Sequence, residues 1–253
     1  MNWRRKSRKG ITGIEAAIVM IAFVVVAAAL AFVVLNMGMF TTQKAKEAIQ
    51  TGLEGATSAL QVDGSVSALV NSNSEVDFIA VPIKLAPGKH AVDLGYSKTT
   101  ISVLTSQGVA LENAYEGALY ILSNGTLVSD NPNVLNVLGS GSGKINLTLT
   151  NSNISNLTAL KEVISAITTE LVKNGNVSKD TPVVFVVFIK NTEIDAVLQN
   201  GEKALVLGFL PNATALGAYD TISVEIHPPS GAPLTISRTM PATLPADSAI
   251  TLG

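Results

Sequence analysis

The 253-residue sequence has no cysteine, two histidines and a single tryptophan, and only 14% of its residues are charged. Without cysteine there is no disulfide scaffold, no thiolate zinc or iron–sulfur site and no thiol nucleophile. His90 and His227 alone offer little for metal ligation or a nucleophile–base pair. Charged residues usually make up about 25% of a soluble domain, so the deficit here is large. The net charge of −2 leaves no broadly basic surface for nucleic acid. In place of charge the chain carries 47% hydrophobic residues. Its length suffices to bury a core, as one domain or as one domain with an appendage, and excludes a wholly disordered chain.

The distribution of charge says more than its sum. Residues 1–10, MNWRRKSRKG, hold Arg4, Arg5, Lys6, Arg8 and Lys9 without an acid, together with the tryptophan, Trp3; the remainder of the chain carries about −7. From Ala16 to Leu35 follow twenty apolar residues, AAIVMIAFVVVAAALAFVVL. At a rise of about 1.5 Å per residue this run spans roughly 30 Å, the hydrocarbon thickness of a bilayer.

A basic start before an apolar run has three readings. A secretory signal has an apolar region of about 7–15 residues followed by a small-residue cleavage site, and this run is too long. An uncleaved anchor with its basic end in the cytoplasm obeys the positive-inside rule. The third reading rests on the junction RKGITGIEAAIVMIAFVVV, where a basic pair and Gly10 precede the apolar run and Glu15 stands at its head.

That junction resembles the type IV pilin-like leader of archaeal flagellins, or archaellins. The resemblance implies that a membrane aspartic peptidase cuts between Gly10 and Ile11, after the basic Lys9, and that the apolar segment is retained. Glycine at the cut would let the backbone become extended and accessible there, and loss of five positive charges would free the chain for extraction from the membrane. Glu15 becomes the fifth mature residue. A carboxylate at the head of an apolar helix costs up to a few kcal/mol in lipid. Headgroup solvation and the helix N-terminal dipole can offset that; the resemblance implies in addition a pairing with the new amino group of Ile11 on a neighbouring subunit during assembly.

Beyond Asn36, the positions Ile49, Leu53, Ala56 and Leu60 recur at helical spacing. One helix is therefore expected from about Ile14 to about Leu60, amphipathic in its second half, with alanines such as Ala27, Ala28 and Ala29 permitting close helix approach. After about Asp63 the pattern becomes β-like: EVDFIAVPIKL, TISVLTS, GALYILS, KINLTLT, PVVFVVFIK, ALVLGFL, TISVEIH and PLTISRT. The solidly apolar Val183–Ile189 predicts a central strand. One helix interrupts them, with Leu157, Leu160, Ile164, Ile167 and Leu171 on a face, Ser155 or Asn156 as cap and Gly175 as stop. Pro228, Pro229, Gly231 and Pro233 predict a hairpin turn in the tail, which also resembles the archaellin C-terminus. The resemblance is strong over residues 8–60, recognisable over 220–253 and weak between.

The fold class expected is α+β: a leader over 1–10, a long helix over 11–61, and an antiparallel, immunoglobulin-like β-sandwich over 62–253 that faces the exterior. Six Asn-x-Ser/Thr sequons, at Asn124, Asn146, Asn153, Asn156, Asn176 and Asn212, all fall in that domain. They are candidate glycan sites, although turn-forming Asn and strand-favouring Thr also coincide without modification. For catalysis the supply is poor. The glycine-rich Gly139–Lys144 lacks P-loop spacing; the pairs Glu112 with Glu116 and Glu193 with Asp195 could bind a cation or do acid–base work, although most such pairs are simply solvated, and calcium at the outer domain stays open with no EF-hand spacing to support it. No cofactor, metal or nucleic acid is expected.

The resemblance implies a non-enzymatic subunit of the archaellum, the motility filament of archaea. Its expected partners are copies of itself, the membrane before assembly, a prepilin-type peptidase, an assembly ATPase and a membrane platform. A non-rotating adhesion pilin shares the same leader, helix and β-domain. A surface binding module or envelope enzyme on an uncleaved anchor would instead retain Trp3.

Overall fold

A computed structural model describes residues 9–57, 60–108, 110–121, 126–138, 156–190 and 195–252. The chain divides into two compact units, residues 1–53 and 54–253.

The first unit is one α-helix, α1 (Lys9–Thr57), of 49 residues. No proline occurs before Pro82, so nothing removes a donor from its ladder. At about 1.5 Å per residue it is roughly 74 Å long. It stops at Thr57, shortly after Gly52 and Gly55, and Leu60 is not on its face as the spacing suggested. Leu60 instead opens a strand and is buried opposite Leu85, because the domain core offers it more than a continued helix would.

The second unit runs β1 (Leu60–Val62), β2 (Val66–Val70), β3 (Val76–Leu85), β4 (Val92–Asp93), β5 (Thr100–Thr105), β6 (Ala110–Leu111), β7 (Tyr115–Ile121), β8 (Leu127–Ser129), α2 (Pro132–Val137), α3 (Leu157–Lys173), β9 (Val183–Lys190), β10 (Val197–Leu198), β11 (Lys203–Phe209), β12 (Thr221–His227), β13 (Leu234–Thr239) and β14 (Ala249–Leu252). The main sheet has the order β14-β2-β3-β11-β9-β7-β8, with β1 also on β3; a second sheet has the order β13-β12-β5-β6; β4 and β10 form a short pair. Seven of the eight expected strands are present, and KINLTLT lies outside the described residues.

Three layers result, and alternation along β9 shows how. Val184, Val186 and Phe188 face a core shared with Ile101, Val103, Ile222, Val224 and Ile236 of the second sheet. Val183, Phe185 and Val187 face a second core shared with Val134 and Val137 of α2 and Leu160, Ile164, Ile167 and Leu171 of α3. The main sheet is thus covered on both faces, which accounts for the unbroken apolar run in β9. The helical layer also permits a departure from an antiparallel sandwich, the one found among the described residues: β7 and β9 are parallel, and parallel neighbours need a long crossover, supplied by the segment containing α2 and α3.

Local chemistry sets the helix ends. Asn156 caps α3, its side chain accepting from Thr158 N at 3.0 Å. At the other end Gly175, at φ +75°, lets its own N–H reach Val172 O and that of Asn176 reach Leu171 O, both at 3.0 Å. Lys161 ties α3 to β3 through Asp77 at 2.7 Å.

At one end of the main sheet Asp63 accepts from Lys84 at 2.6 Å and Lys203 at 2.5 Å. These two ammonium groups, Lys203 foremost, hold its carboxyl below the usual carboxylate range. A carboxyl so depressed stabilises the fold above its unfolded value of about 4 and loses that effect as pH falls through the folded value. The stability gap between wild type and Asp63→Asn is therefore expected at neutral pH and should close below about pH 4 in denaturant titrations; a gap of constant size would show that the ion pairs do not contribute. Phe185→Ala, at a fully buried site, should destabilise the domain by about 3–5 kcal/mol in the same assay.

Candidate functional site

The feature that sets this molecule apart is the surface of α1. Large apolar side chains from Ile14 to Phe40 are all more than half exposed, Met20 and Phe23 at 72%. They are not confined to a stripe, since Ile18, Val19, Met20 and Ile21 are consecutive and point to every side. Such a helix is stable in lipid or among other helices. Each of these side chains gains about 1.5–3 kcal/mol on burial, so together they hold tens of kcal/mol, more than the roughly 5–15 kcal/mol that keeps a domain folded. Water is therefore not the working environment of α1.

The stretch between Glu15 and Lys44 carries no charge. It is about 42 Å long, against roughly 30 Å for the hydrocarbon core. Its polar residues near the far end bond internally: Thr41 Oγ1 donates to Met37 O at 2.7 Å and Thr42 Oγ1 to Met39 O at 2.8 Å. Further on, Lys44 pairs with Glu47 at 2.6 Å. A methyl group placed at Gly13, Gly38 or Gly52 would meet nothing within 4 Å, so these positions leave room for a partner's backbone. Among the described residues one span, Gly13–Leu53, is long and apolar enough to cross a membrane.

Lys9, Gly10 and Ile11 occupy the first turn of α1. Gly10 is helical, in the ladder that begins at Lys9. Glu15 lies on the exposed surface one turn further along. Of the sequons, Asn124, Asn146 and Asn153 lie outside the described residues, and Asn156, Asn176 and Asn212 are exposed. They differ in the residue at the third position. Thr158 and Ser178 are exposed, whereas Thr214 is buried and its hydroxyl donates to Pro211 O at 3.0 Å.

The remaining candidates are dispersed. His90 is exposed, and His227 Nε2 lies 3.3 Å from Glu225 Oε1 at the end of β12. Glu112 is exposed; Glu116 is half-buried, accepts from Asn131 Nδ2 at 3.3 Å, and has its carboxyl pushed up by burial. Glu193 and the Gly139–Lys144 stretch lie outside the described residues. Asp195 lines an open cleft with Asp93 and Asp130, a grouping invisible in sequence because the three are far apart along the chain. Asp130 accepts backbone N–H bonds from Tyr96 at 2.6 Å and Ala118 at 2.7 Å, and burial raises its carboxyl. Asp93 is paired with Lys98. Among the described residues no group of three or more acids and histidines is arranged to hold a metal ion. The cleft reads as a structural clasp on the 93–98 loop, and the site that matters is α1.

The model of the archaeal-type flagellin family matches residues 10–238. A protein of Aeropyrum pernix described as probable flagellin 1 is 44% identical over 98% of this chain and 100% of its own length. Flagellin FlaB2 of Saccharolobus shibatae is 30% identical over 93% of this chain and 92% of its own. Among solved structures, the archaeal flagellum of Methanospirillum hungatei covers 95% of this chain and 99% of its own at a TM-score of 0.54, with 20% identity, and so shares the fold. An exposed, all-round apolar helix joined to a β-rich domain, and a family match running from Gly10 into β13, place the chain among the archaeal-type flagellins, the structural subunits of the archaeal flagellum.

Proposed function

We propose that this flagellin is made as a membrane-held precursor, loses residues 1–10 to a prepilin-type peptidase, and enters the extracellular filament by moving α1 from lipid into a bundle of identical helices. The observation that carries this reading is the complete exposure of the apolar surface of α1. Lipid and a helix bundle are the two environments that satisfy such a surface, and the same residues serve in both. As a structural subunit the protein is no enzyme, and an assembly ATPase and membrane platform supply the work of export. The family match gives no support to an adhesion pilin or an anchored surface enzyme.

The cut falls between Gly10 and Ile11. Both are in the first helical turn, where N–H groups have no intrahelical acceptor, and glycine is roughly 1 kcal/mol poorer than alanine in a helix. Unwinding that turn into a peptidase cleft is thus inexpensive, and removal of the basic leader erases the charges that hold the chain on the cytoplasmic side. In the filament, Glu15 takes the Ile11 amino group of a neighbour as its counter-ion. Gly10→Val should leave full-length precursor in the membrane and no filaments on the cell. Wild-type filament subunits should begin at Ile11 and, having lost Trp3, show no tryptophan emission; normal maturation of the variant would remove this assignment.

The exterior domain is also proposed to carry N-glycans, and the described sequons differ in accessibility. A transferase acting on the folded chain must engage the hydroxyl at the third position. Asn156 and Asn176 offer it, whereas at Asn212 it is buried on Thr214. Peptide mass spectrometry of filaments should find glycan at Asn156 or Asn176 and an unmodified Asn212. Glycan on Asn212 would show that transfer precedes folding.

A further inference from the structure

The β-rich domain carries an open strand edge. Among the strands that end the two larger sheets, β13 is six residues long, against four in β14, three in β8 and two in β6. One side of β13 is laddered to β12, and the other has no strand beside it among the described residues. Such an edge is a template on which another extended chain can pair.

The sequence of that edge suits pairing. The segment Leu234–Met240, LTISRTM, contains no proline or glycine and sets Leu, Thr, Ile, Ser and Met around a single charge. Pro233 and Pro241 bound it. Arg238 is the one acidic or basic residue between His227 and Asp247, and the only arginine after the basic leader.

Register puts this charge on the inner face of the sheet. Arg238 stands directly opposite Ile222, as Ile236 stands opposite Val224 and Leu234 opposite Ile226. Residues directly opposite share a face, and Ile222, Val224, Ile226 and Ile236 all belong to the core between the two sheets, with Leu234 packed against it. Arg238 therefore takes the third inward position of β13 and is half-buried there. Its Nε is buried without a hydrogen-bond partner, and Nη1 turns back to donate to Ser237 O at 2.8 Å. Among the described residues no carboxylate forms an ion pair with it. The aliphatic stem covers apolar surface, and the guanidinium keeps its water only while the edge stays open.

We propose that Arg238 holds the β13 edge closed to β13 of a second copy, so that outer domains cannot join by extending their sheets. The excluded occupant is the segment Leu234–Met240 itself, because antiparallel pairing of two identical edges is self-complementary and closes on a two-fold axis. That pairing would bring two guanidinium groups onto one continuous inner face, strip water from both and supply no carboxylate. An inward charge on an edge strand opposes sheet extension for this reason. Membership of the flagellin family makes the guard necessary, since subunits of a filament hold identical domains at high local concentration.

The test uses the full-length subunit in detergent, which covers α1 and leaves the outer domain free to associate. Light scattering should find wild type and Arg238→Lys monomeric and Arg238→Ile dimeric. The absence of native cysteine allows the edge to be located. A short bismaleimide should cross-link Ser237→Cys in the Arg238→Ile background, but neither Ser237→Cys alone nor Glu162→Cys, exposed on α3, in the Arg238→Ile background. Arg238→Ile should melt at the wild-type temperature or above, because it loses a buried donor that has no partner. A monomeric Arg238→Ile, cross-linking of Ser237→Cys with Arg238 in place, or equal cross-linking through Glu162→Cys would overturn the proposal. Should Arg238→Ile fail to fold, Arg238→Gln removes the charge while keeping a polar stem, and a monomeric Arg238→Gln would overturn it equally. Since α1 is intact and covered in every variant, failure of this guard is distinguishable from failure of helix-driven assembly.

Discussion

The need to cover the surface of α1 governs the rest of this molecule. A helix with large apolar side chains on all sides can be stored in a bilayer or buried among its own copies, and both solutions leave the sequence under the same demand. That demand explains the missing charges between Glu15 and Lys44 and the hydroxyls of Thr41 and Thr42 that bond back to their own helix. It also gives a physical reason for the proposed removal of the basic leader: a positive block fixes orientation in the membrane and would then obstruct departure from it, so cutting it off would separate the two tasks in time.

The exterior domain answers a different problem. It must stay folded outside the cell with few charges and no disulfide. Its solution is a sheet buried on both faces, so that β9 contributes each side chain from Val183 to Phe188 to one core or the other. Polar satisfaction then depends on a few carboxylates that organise backbone rather than catalyse. Asp220 fixes the Tyr219 turn, and Asp130 ties the Tyr96 loop to β7 across the bulge at Gly117, where φ is +119° and a side chain would collide with Asp130 itself. The outward face of the second sheet uses Ser and Thr, which hydrate well and pair across strands without electrostatic repulsion.

Much of this was legible in the sequence, and the boundary of legibility is physical. The apolar run, the central strand β9 and the capped helix α3 all follow from periodicity or from residues with a single strong preference. Asn156 as cap and Gly175 as stop were readable because capping is local. Leu60 was misplaced on the helix because its spacing suits a helix equally well, and what moved it was a pairing with Leu85, which periodicity does not contain. The strands β1, β2 and β14 are short and stabilised by their neighbours on β3 and on one another. The parallel pairing of β7 with β9 and the meeting of Asp93, Asp130 and Asp195 depend on chain reversal over dozens of residues. Tyr219 gave no signal at all: its left-handed backbone comes from Asp220, Ser106 and Gln107 acting together.

The two kinds of surface also divide the labour of assembly. Burial of an all-round apolar helix is strong but has little direction, because a helix that is greasy on every side gains nearly as much after rotation about its axis or a shift of one turn. Glu15 is proposed to supply one fixed point, since a carboxylate in such a bundle is tolerated only beside its counter-ion. A filament with a single helical lattice needs at least one further constraint, distant from the axis where a small angular error becomes a large displacement.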